Sequence, residues 1–278
     1  MKITKADIMA ILKEDKAFAD VTTNSIIIQN KLQNFRIISK NISPFVLCGI
    51  DCIFQAFESV MAKYSIDEVK KDGSVIECGQ NIISGRASVK ELLQIERSCL
   101  NLIQHLSGIS TKTNLFVQAL NNPRIKILDT RKTIPFIRKL QKYAVTIGGG
   151  FNHRMNLAQM VMIKDNHIMA AGSISEAVRL VKKSQLSMQI EVECETIQQV
   201  FEAIEAKVDI IMLDNMSCLE VANASAIIRE KSDIKIEVSG GINIANIAQY
   251  RELDVDYISI GALTHSINAV DISMDFLV

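Results

Sequence analysis

The sequence predicts an α/β protein in two parts: a small mixed domain over residues 1–107 and a modified, incomplete (β/α) barrel over 108–266. Three observations predict it. Apolar residues make up 48% of the 278 positions, enough for a substantial core. From about residue 108 onward, short Ile- and Val-rich runs alternate with segments of helical spacing. Nearly every one of those runs ends in a polar or glycine-rich cluster.

Taken in chain order, MKITKADIMAILKEDKAFAD reads as a short amphipathic helix with acidic residues throughout. Helix-like stretches at 7–16, 49–64 and 89–106 then alternate with strand-like ones at 35–39 and 74–77. The turns KDGS at 71–74 and SGR at 84–86 punctuate them. On a helical projection of 89–106, Leu92, Ile95, Cys99, Ile103 and Leu106 form one stripe. Glu96 falls inside that stripe, where a charge needs a partner. Arg97 points away from it, free to reach solvent or another surface.

The later runs are IKILD (125–129), AVTIG (144–148), MVMIK (160–164), MQIEVE (188–193), VDIIMLD (208–214), IKIEVSG (234–240) and VDYISIG (255–261). Segments 173–183, 196–207 and 218–231 have helical spacing. Near-continuous apolar strands separated by helices mean a parallel sheet covered on its outer face. About seven such strands suit an incomplete barrel, with an open doubly wound sheet as the alternative. The tail, 267–278, is expected to rejoin the first domain.

The strand endings carry the chemistry. IKILD runs into Thr130, Arg131 and Lys132. MVMIK ends at Lys164, followed by Asp165, Asn166 and His167. The next three strands end in Glu193, in Asp214 with Asn215, and in Ser239, Gly240 and Gly241; the last ends in Gly261 and Ala262. In a parallel barrel these carboxyl ends share one face, where active sites are built. The SGG and GA turns precede helix-like segments, a setting in which backbone N–H groups bind phosphate. GGGFNHR (148–154) reads as a tight loop presenting His153 and Arg154. Arg131, Lys132, His153, Arg154 and Lys164 suit carboxylates and phosphates. Glu193 and Asp214 suit sugar hydroxyls or a hydrated Mg²⁺, unless they simply pair with the lysines.

Several classes are disfavoured. The chain balances 31 basic against 31 acidic side chains, which argues against broad nucleic-acid binding. No segment approaches the roughly 18 apolar residues of a membrane span, and the N-terminus lacks a signal-peptide core. The six cysteines include no CxxC pair, so reduced thiols in the cytoplasm are expected rather than a zinc site.

The stretches EDKAFADVTT, KKDGSVIECGQ, ERSCLNLIQHLSGISTKT, ILDTRKTIPFIRKLQKYAVTIGGGFNHRMNL, MVMIKDNHI, EVEC, MLDNM, EVSGGI and ISIGALTHS resemble quinolinate phosphoribosyltransferases. They run from about 14 to 266, nearly the whole chain; the departure is Ala19, where the family usually has glycine. The resemblance implies an N-terminal α/β sandwich domain joined to a modified barrel. It implies transfer of phosphoribosyl from phosphoribosyl pyrophosphate, with Mg²⁺, to quinolinate, followed by decarboxylation. It also implies a homodimer in which Arg97 acts across the interface. By the same resemblance, Arg97, Arg131, Arg154 and Lys164 bind the quinolinate carboxylates. Lys132 and His153 act near pyrophosphate and the reaction centre. Glu193 and Asp214 contact ribose or metal, and Ser239, Gly240, Gly241 and Gly261 hold the 5′-phosphate. Lys132, His153, Lys164, Glu193 and Asp214 form the expected catalytic set.

Other readings stay open at this level. A Schiff-base aldolase also ends a barrel strand in lysine, as at Lys164. A phosphate-metabolite sensor would bind without turnover. A molybdenum-associated paralogue shares the TRK and HR stretches.

Overall fold

The computed structural model describes residues 3–184 and 187–277, so the first two residues and the last of the expected tail lie outside the described residues. In chain order the elements are α1 (Lys5–Glu14), α2 (Val21–Ile26), β1 (Leu32–Ser39), β2 (Phe45–Val46), α3 (Ile50–Val60), β3 (Tyr64–Val69), β4 (Val75–Ile76), β5 (Asn81–Ser88) and α4 (Val89–Leu120). There follow β6 (Lys126–Leu128), α5 (Arg138–Ile147), β7 (Val161–Ile163), α6 (Asp165–Ala171), α7 (Ile174–Lys183), β8 (Ile190–Cys194), α8 (Ile197–Glu205), β9 (Ile210–Asp214), α9 (Cys218–Lys231), β10 (Lys235–Ser239), β11 (Tyr257–Ser259), α10 (Ala262–His265) and β12 (Ile272–Phe276).

Two compact units result. The first comprises residues 1–114, 134–149 and 266–278; the second comprises 115–133 and 150–265. The first compact unit takes in residues beyond 107 for two physical reasons. α4 does not stop near Leu106 but continues to Leu120. Gly108 sits inside it because a Cβ there would come within 2.3 Å of the Asn268 carbonyl. Residues 134–149 also group with the first unit, where Gln141 Nε2 meets His105 Nε2 at 2.8 Å and the Tyr143 hydroxyl donates to Asp72 at 2.9 Å.

In the first unit an antiparallel sheet runs β12-β1-β5-β3, so the C-terminal strand lies against β1. Phe35 on β1 meets Phe57 on α3 edge to face at 5.7 Å. The α4 stripe, Leu92, Ile95, Cys99, Ile103 and Leu106, is buried, while Arg97 is exposed. Burial raises the Glu96 carboxyl against the lowering influence of Arg97. Asp72 of the KDGS turn caps α3, accepting from the Gly49 and Ile50 N–H groups at 2.9 and 3.0 Å. At the Ala19 departure, the positive φ falls on Lys16 instead, so alanine fits. Asp20 then caps α2 through the Thr22 and Thr23 N–H groups.

In the second unit six parallel strands run β6-β11-β10-β9-β8-β7. The first strand in sequence pairs with the last, as in a barrel, and β6 and β7 are the ends of the row. Phe151 adds a single parallel bridge beside Leu128. A flat sheet would hold β6 and β7 about 24 Å apart, five spacings of about 4.8 Å. Residues from both ends nevertheless line one cavity, so the sheet curls into an incomplete barrel. One expected strand is corrected: AVTIG (144–148) lies at the end of helix α5, whose apolar residues Leu140, Ala144 and Val145 recur at helical spacing. Its Val and Ile content gave the strand reading; packing overrides so weak a propensity.

No helix among the described residues is long and apolar enough to cross a membrane. Cys48, Cys52, Cys99 and Cys194 are buried free thiols, Cys78 is exposed, and Cys218 is half-buried.

Candidate active site

A cavity of about 330 Å³ opens at the carboxyl ends of the second unit's strands. Its lining includes Arg131 and Lys132 from the ending of β6, His153 and Arg154 from the loop before β7, and Lys164, Glu193, Asp214 and Ser239 from the endings of β7, β8, β9 and β10. Thr130, Met162, Met212 and Ser259 complete the wall; Thr130 belongs to the strand ending after β6, and the other three were not expected. Gly240, Gly241 and Gly261 are not among the lining residues, but Gly240 and Gly241 follow Ser239 directly and Gly261 packs on Lys132. Gly240 approaches Asn215 so closely that a Cβ would lie 2.2 Å from its side-chain oxygen, and a Cβ on Gly261 would lie 2.9 Å from the Lys132 side chain. Arg97 lies in the first unit and lines a different cavity there, with Glu14, Asp15, Asn101 and His105.

Each cation is held by local structure. The loop after β6 is fixed by Thr130, whose hydroxyl accepts from the Lys132 N–H at 3.0 Å, and by Thr264, which donates to the Lys132 carbonyl at 2.8 Å. Arg131 is half-buried, and its Nε has no hydrogen-bond partner. Arg154 is buried and donates through one terminal nitrogen to the Met160 carbonyl at 3.0 Å. Burial, and then the neighbouring Arg131 charge, lower its pKa. Lys164 closes β7 and pairs with Glu193 of β8; its backbone N–H donates to His167 Nδ1 at 3.0 Å. Asp214 ends β9 and accepts from the Asn215 amide at 2.7 Å.

Beneath this layer lies a second one. Asp129, fully buried, accepts from the Asn152 amide at 2.6 Å and from the His153 N–H at 3.0 Å, fixing the NHR segment to the end of β6. His153 Nε2 lies 3.1 Å from Glu191 and 3.4 Å from Glu237. The ring's Nδ1 accepts from the Arg154 N–H at 2.7 Å. Burial works against a charged ring, but the two carboxylates outweigh it and raise His153 to about 9. Burial, and then Glu237, push the Glu191 carboxyl upward. With Nδ1 accepting, the ring turns its Nε2 edge toward the two carboxylates. Asp129, Glu191 and Glu237 were missed in the sequence. The signal was available: an acid inside an apolar strand must find a partner.

Such a cavity suits a small, multiply anionic ligand. Several fixed cations and glycine turns recognise carboxylate and phosphate groups, while Met162 and Met212 offer apolar surface to a flat ring.

The chain matches the model for "Quinolinate phosphoribosyl transferase, C-terminal domain" over residues 109–275 and that for "Quinolinate phosphoribosyl transferase, N-terminal domain" over 20–107. It is 42% identical over 274 residues to a probable nicotinate-nucleotide pyrophosphorylase (carboxylating) of Methanocaldococcus jannaschii, covering 96% of this chain and 94% of that one. It is 36% identical over 272 residues to the nicotinate-nucleotide pyrophosphorylase (carboxylating) of Mycobacterium leprae, covering 95% and 94%. The crystal structure of nicotinate-nucleotide pyrophosphorylase from Ehrlichia chaffeensis superposes with a TM-score of 0.93 at 42% identity over the whole of both chains.

Proposed function

The chain belongs to the quinolinate phosphoribosyl transferase family, and on that premise we propose that its cationic cavity transfers phosphoribosyl from phosphoribosyl pyrophosphate to quinolinate with loss of CO₂. The products are nicotinate mononucleotide, pyrophosphate and CO₂, a step of NAD biosynthesis. One observation carries the reading: Arg131, Arg154 and Lys164 meet Glu193 and Asp214 around one cavity, and the buried Nε of Arg131 is left for a ligand.

Quinolinate brings two carboxylates beside a pyridine nitrogen. Arg131, Arg154 and Lys164 bind and orient them. The glycine turns at Gly240, Gly241 and Gly261, with Ser239, hold the donor's 5′-phosphate. Lys132, ahead of Gly261, stabilises the diphosphate as it leaves. As the C1–O bond breaks, its electron pair goes to pyrophosphate. The ring nitrogen's lone pair forms the new N–C1 bond, and the nitrogen becomes cationic. That positive nitrogen stabilises the electron pair left on C2 when the adjacent carboxylate departs as CO₂; a proton from water then fills C2. No enzymic nucleophile is required.

Mg²⁺ accompanies the donor in this reading. Glu193 and Asp214, on neighbouring strands with oxygens facing the same cavity, fit a hydrated ion on a diphosphate. The ion would supply neutralisation of the departing pyrophosphate. The reading carries with it a cytoplasmic homodimer in which the exposed Arg97 of one subunit completes the carboxylate site of the other.

Lys164 pairs with Glu193 and its side chain is 40% exposed, unlike the apolar burial that a Schiff-base lysine needs. The test is direct. Purified protein, quinolinate, phosphoribosyl pyrophosphate and Mg²⁺ should yield nicotinate mononucleotide and CO₂. Arg131→Ala and Arg154→Ala should weaken quinolinate binding far more than donor binding. Equal weakening of both ligands would contradict the assignment, and borohydride trapping of Lys164 on a carbonyl substrate would favour an aldolase.

A further inference from the structure

Glu191 on β8 and Glu237 on β10 lie where apolar residues are the rule, with side-chain exposures of 0% and 1%. Carboxylates this deep cost several kcal/mol unless they are paired. The group facing both is the Nε2 edge of the His153 ring, at 3.1 and 3.4 Å, and neither Glu191 oxygen meets hydrogen-bond geometry with any partner. Glu237 also accepts the Ser259 hydroxyl from β11. On its other side the ring accepts the Arg154 N–H, while the His153 N–H is held by Asp129. Both ring nitrogens are thus engaged by protein, and the backbone that carries Arg154 is fixed at the ring and at the end of β6.

We propose that Glu191 and Glu237 are positioning residues for the reaction: acting through the His153 ring, they set the direction in which Arg154 enters the anion cavity. The proposal rests on Arg154 being a carboxylate-binding side chain, as argued above. It gives a use to two buried acids that the transfer chemistry leaves without one. A guanidinium displaced by about 1 Å loses bidentate geometry on its carboxylate, whereas the donor's phosphate is held by the glycine turns after β10 and β11 and not by the guanidinium.

The test uses Glu191→Gln and Glu237→Gln in the full chain, with two readouts. In steady-state kinetics, KM for quinolinate should rise about tenfold while KM for phosphoribosyl pyrophosphate stays within about twofold. A double-mutant cycle should show Glu237→Gln adding little once Arg154 is alanine. The second readout needs no substrate. The chain has four histidines; the Nε2-bound proton of His153 is assigned in nitrogen-15 spectra by its loss in His153→Asn. It should exchange slowly in the wild type, shift in both glutamine variants, and stay put in Glu176→Gln on the exposed face of α7. If the glutamine variants fail to fold, Glu237→Asp and Ser259→Ala should give smaller changes in the same direction. An unmoved ring resonance overturns the proposal, as does an unchanged quinolinate KM in both variants. So does a stoichiometric metal ion bound by this His–Glu–Glu group, whose ligand atoms lie within 4.8 Å of one another. A wild-type protein that fails to turn over quinolinate sinks the functional reading alone, since the ring proton is read without it.

Discussion

Replacing Gly240 and Gly241 separately by alanine should give two different results, although both glycines belong to the same SGG turn and both have positive φ, +90° and +65°. Left-handed backbone costs an L-residue about 1–2 kcal/mol, so each variant begins with that loss. At Gly241 nothing lies within 4 Å of an added Cβ, and the cost ends there. At Gly240 the Cβ would come within 2.2 Å of the Asn215 side-chain oxygen and 2.7 Å of the Asn215 backbone nitrogen. Asn215 must move, and it is tied down: its N–H donates to the Ser239 carbonyl at 3.0 Å and its amide to Asp214 at 2.7 Å. Losing those bonds adds about 1–2 kcal/mol, bringing Gly240→Ala to about 3 kcal/mol. Chemical denaturation gives both values. Because the shift reaches Asp214, calorimetric titration should also show donor affinity falling about tenfold or more in Gly240→Ala and far less in Gly241→Ala. Two variants equal within about 0.5 kcal/mol would refute the argument, since only the contact with Asn215 separates them.

Three further outcomes are expected. Asp256 accepts from Arg229 at 2.7 Å, Lys235 at 2.8 Å and the Ile236 N–H at 2.9 Å; burial opposes its charge, but these contacts prevail and its carboxyl is held below the ordinary value. A depressed carboxyl contributes stability that is complete above the unfolded value of about 3.9 and is lost as pH falls through the folded one. Asp256→Asn should therefore cost about 1 kcal/mol at neutral pH, the small figure reflecting its exposed partners, and should flatten acid unfolding curves below about pH 4. In the first unit, Asp72→Ala should lower stability by about 1–2 kcal/mol by uncapping α3, and Tyr143→Phe by about 1 kcal/mol, both measured by urea denaturation. Mixing Arg97→Ala and Arg154→Ala subunits should restore about a quarter of wild-type activity, because half of the dimers are mixed and each has one intact site. No recovery would remove Arg97 from the neighbour's site.

Much of this was legible in the sequence, and the misses have causes. Strand endings announced the cavity because a polar residue closing an apolar run has one place to go in a parallel barrel. AVTIG was misread as a strand because a five-residue apolar run carries no period long enough to separate 3.6 from 2. The helix-like stretch at 89–106 stopped short of the end of α4 at Leu120, and the close approach of Gly108 to the Asn268 backbone is invisible in one dimension. Apart from Arg97, Arg131, Lys132, His153 and Arg154, the expected site residues were taken from strand ends and the turns just after them. Side chains two positions earlier face the same way, and that rule yields Met162, Glu191, Met212, Glu237 and Ser259 at once, a second layer under Lys164, Glu193, Asp214, Ser239 and Gly261.

The second layer limits how the first can work. A bare carboxylate beneath the cavity, at about 8 Å from a bound anion and an effective dielectric of about 20, would oppose each ligand charge by about 2 kcal/mol, roughly thirtyfold in affinity. Two such carboxylates would cancel much of what Arg131, Arg154 and Lys164 provide. The floor's charge must therefore be moderated, and its composition works in that direction. The His153 ring turns Nε2 toward Glu191 and Glu237, Ser259 donates to Glu237, and burial with Glu237 shifts the Glu191 carboxyl upward, which favours its uncharged form. Leucines would give a neutral floor, but they would not hold the ring that fixes the Arg154 backbone. An acid–imidazole floor moderates its own charge and supplies direction, and so an acidic interior is compatible with a cationic mouth suited to anions.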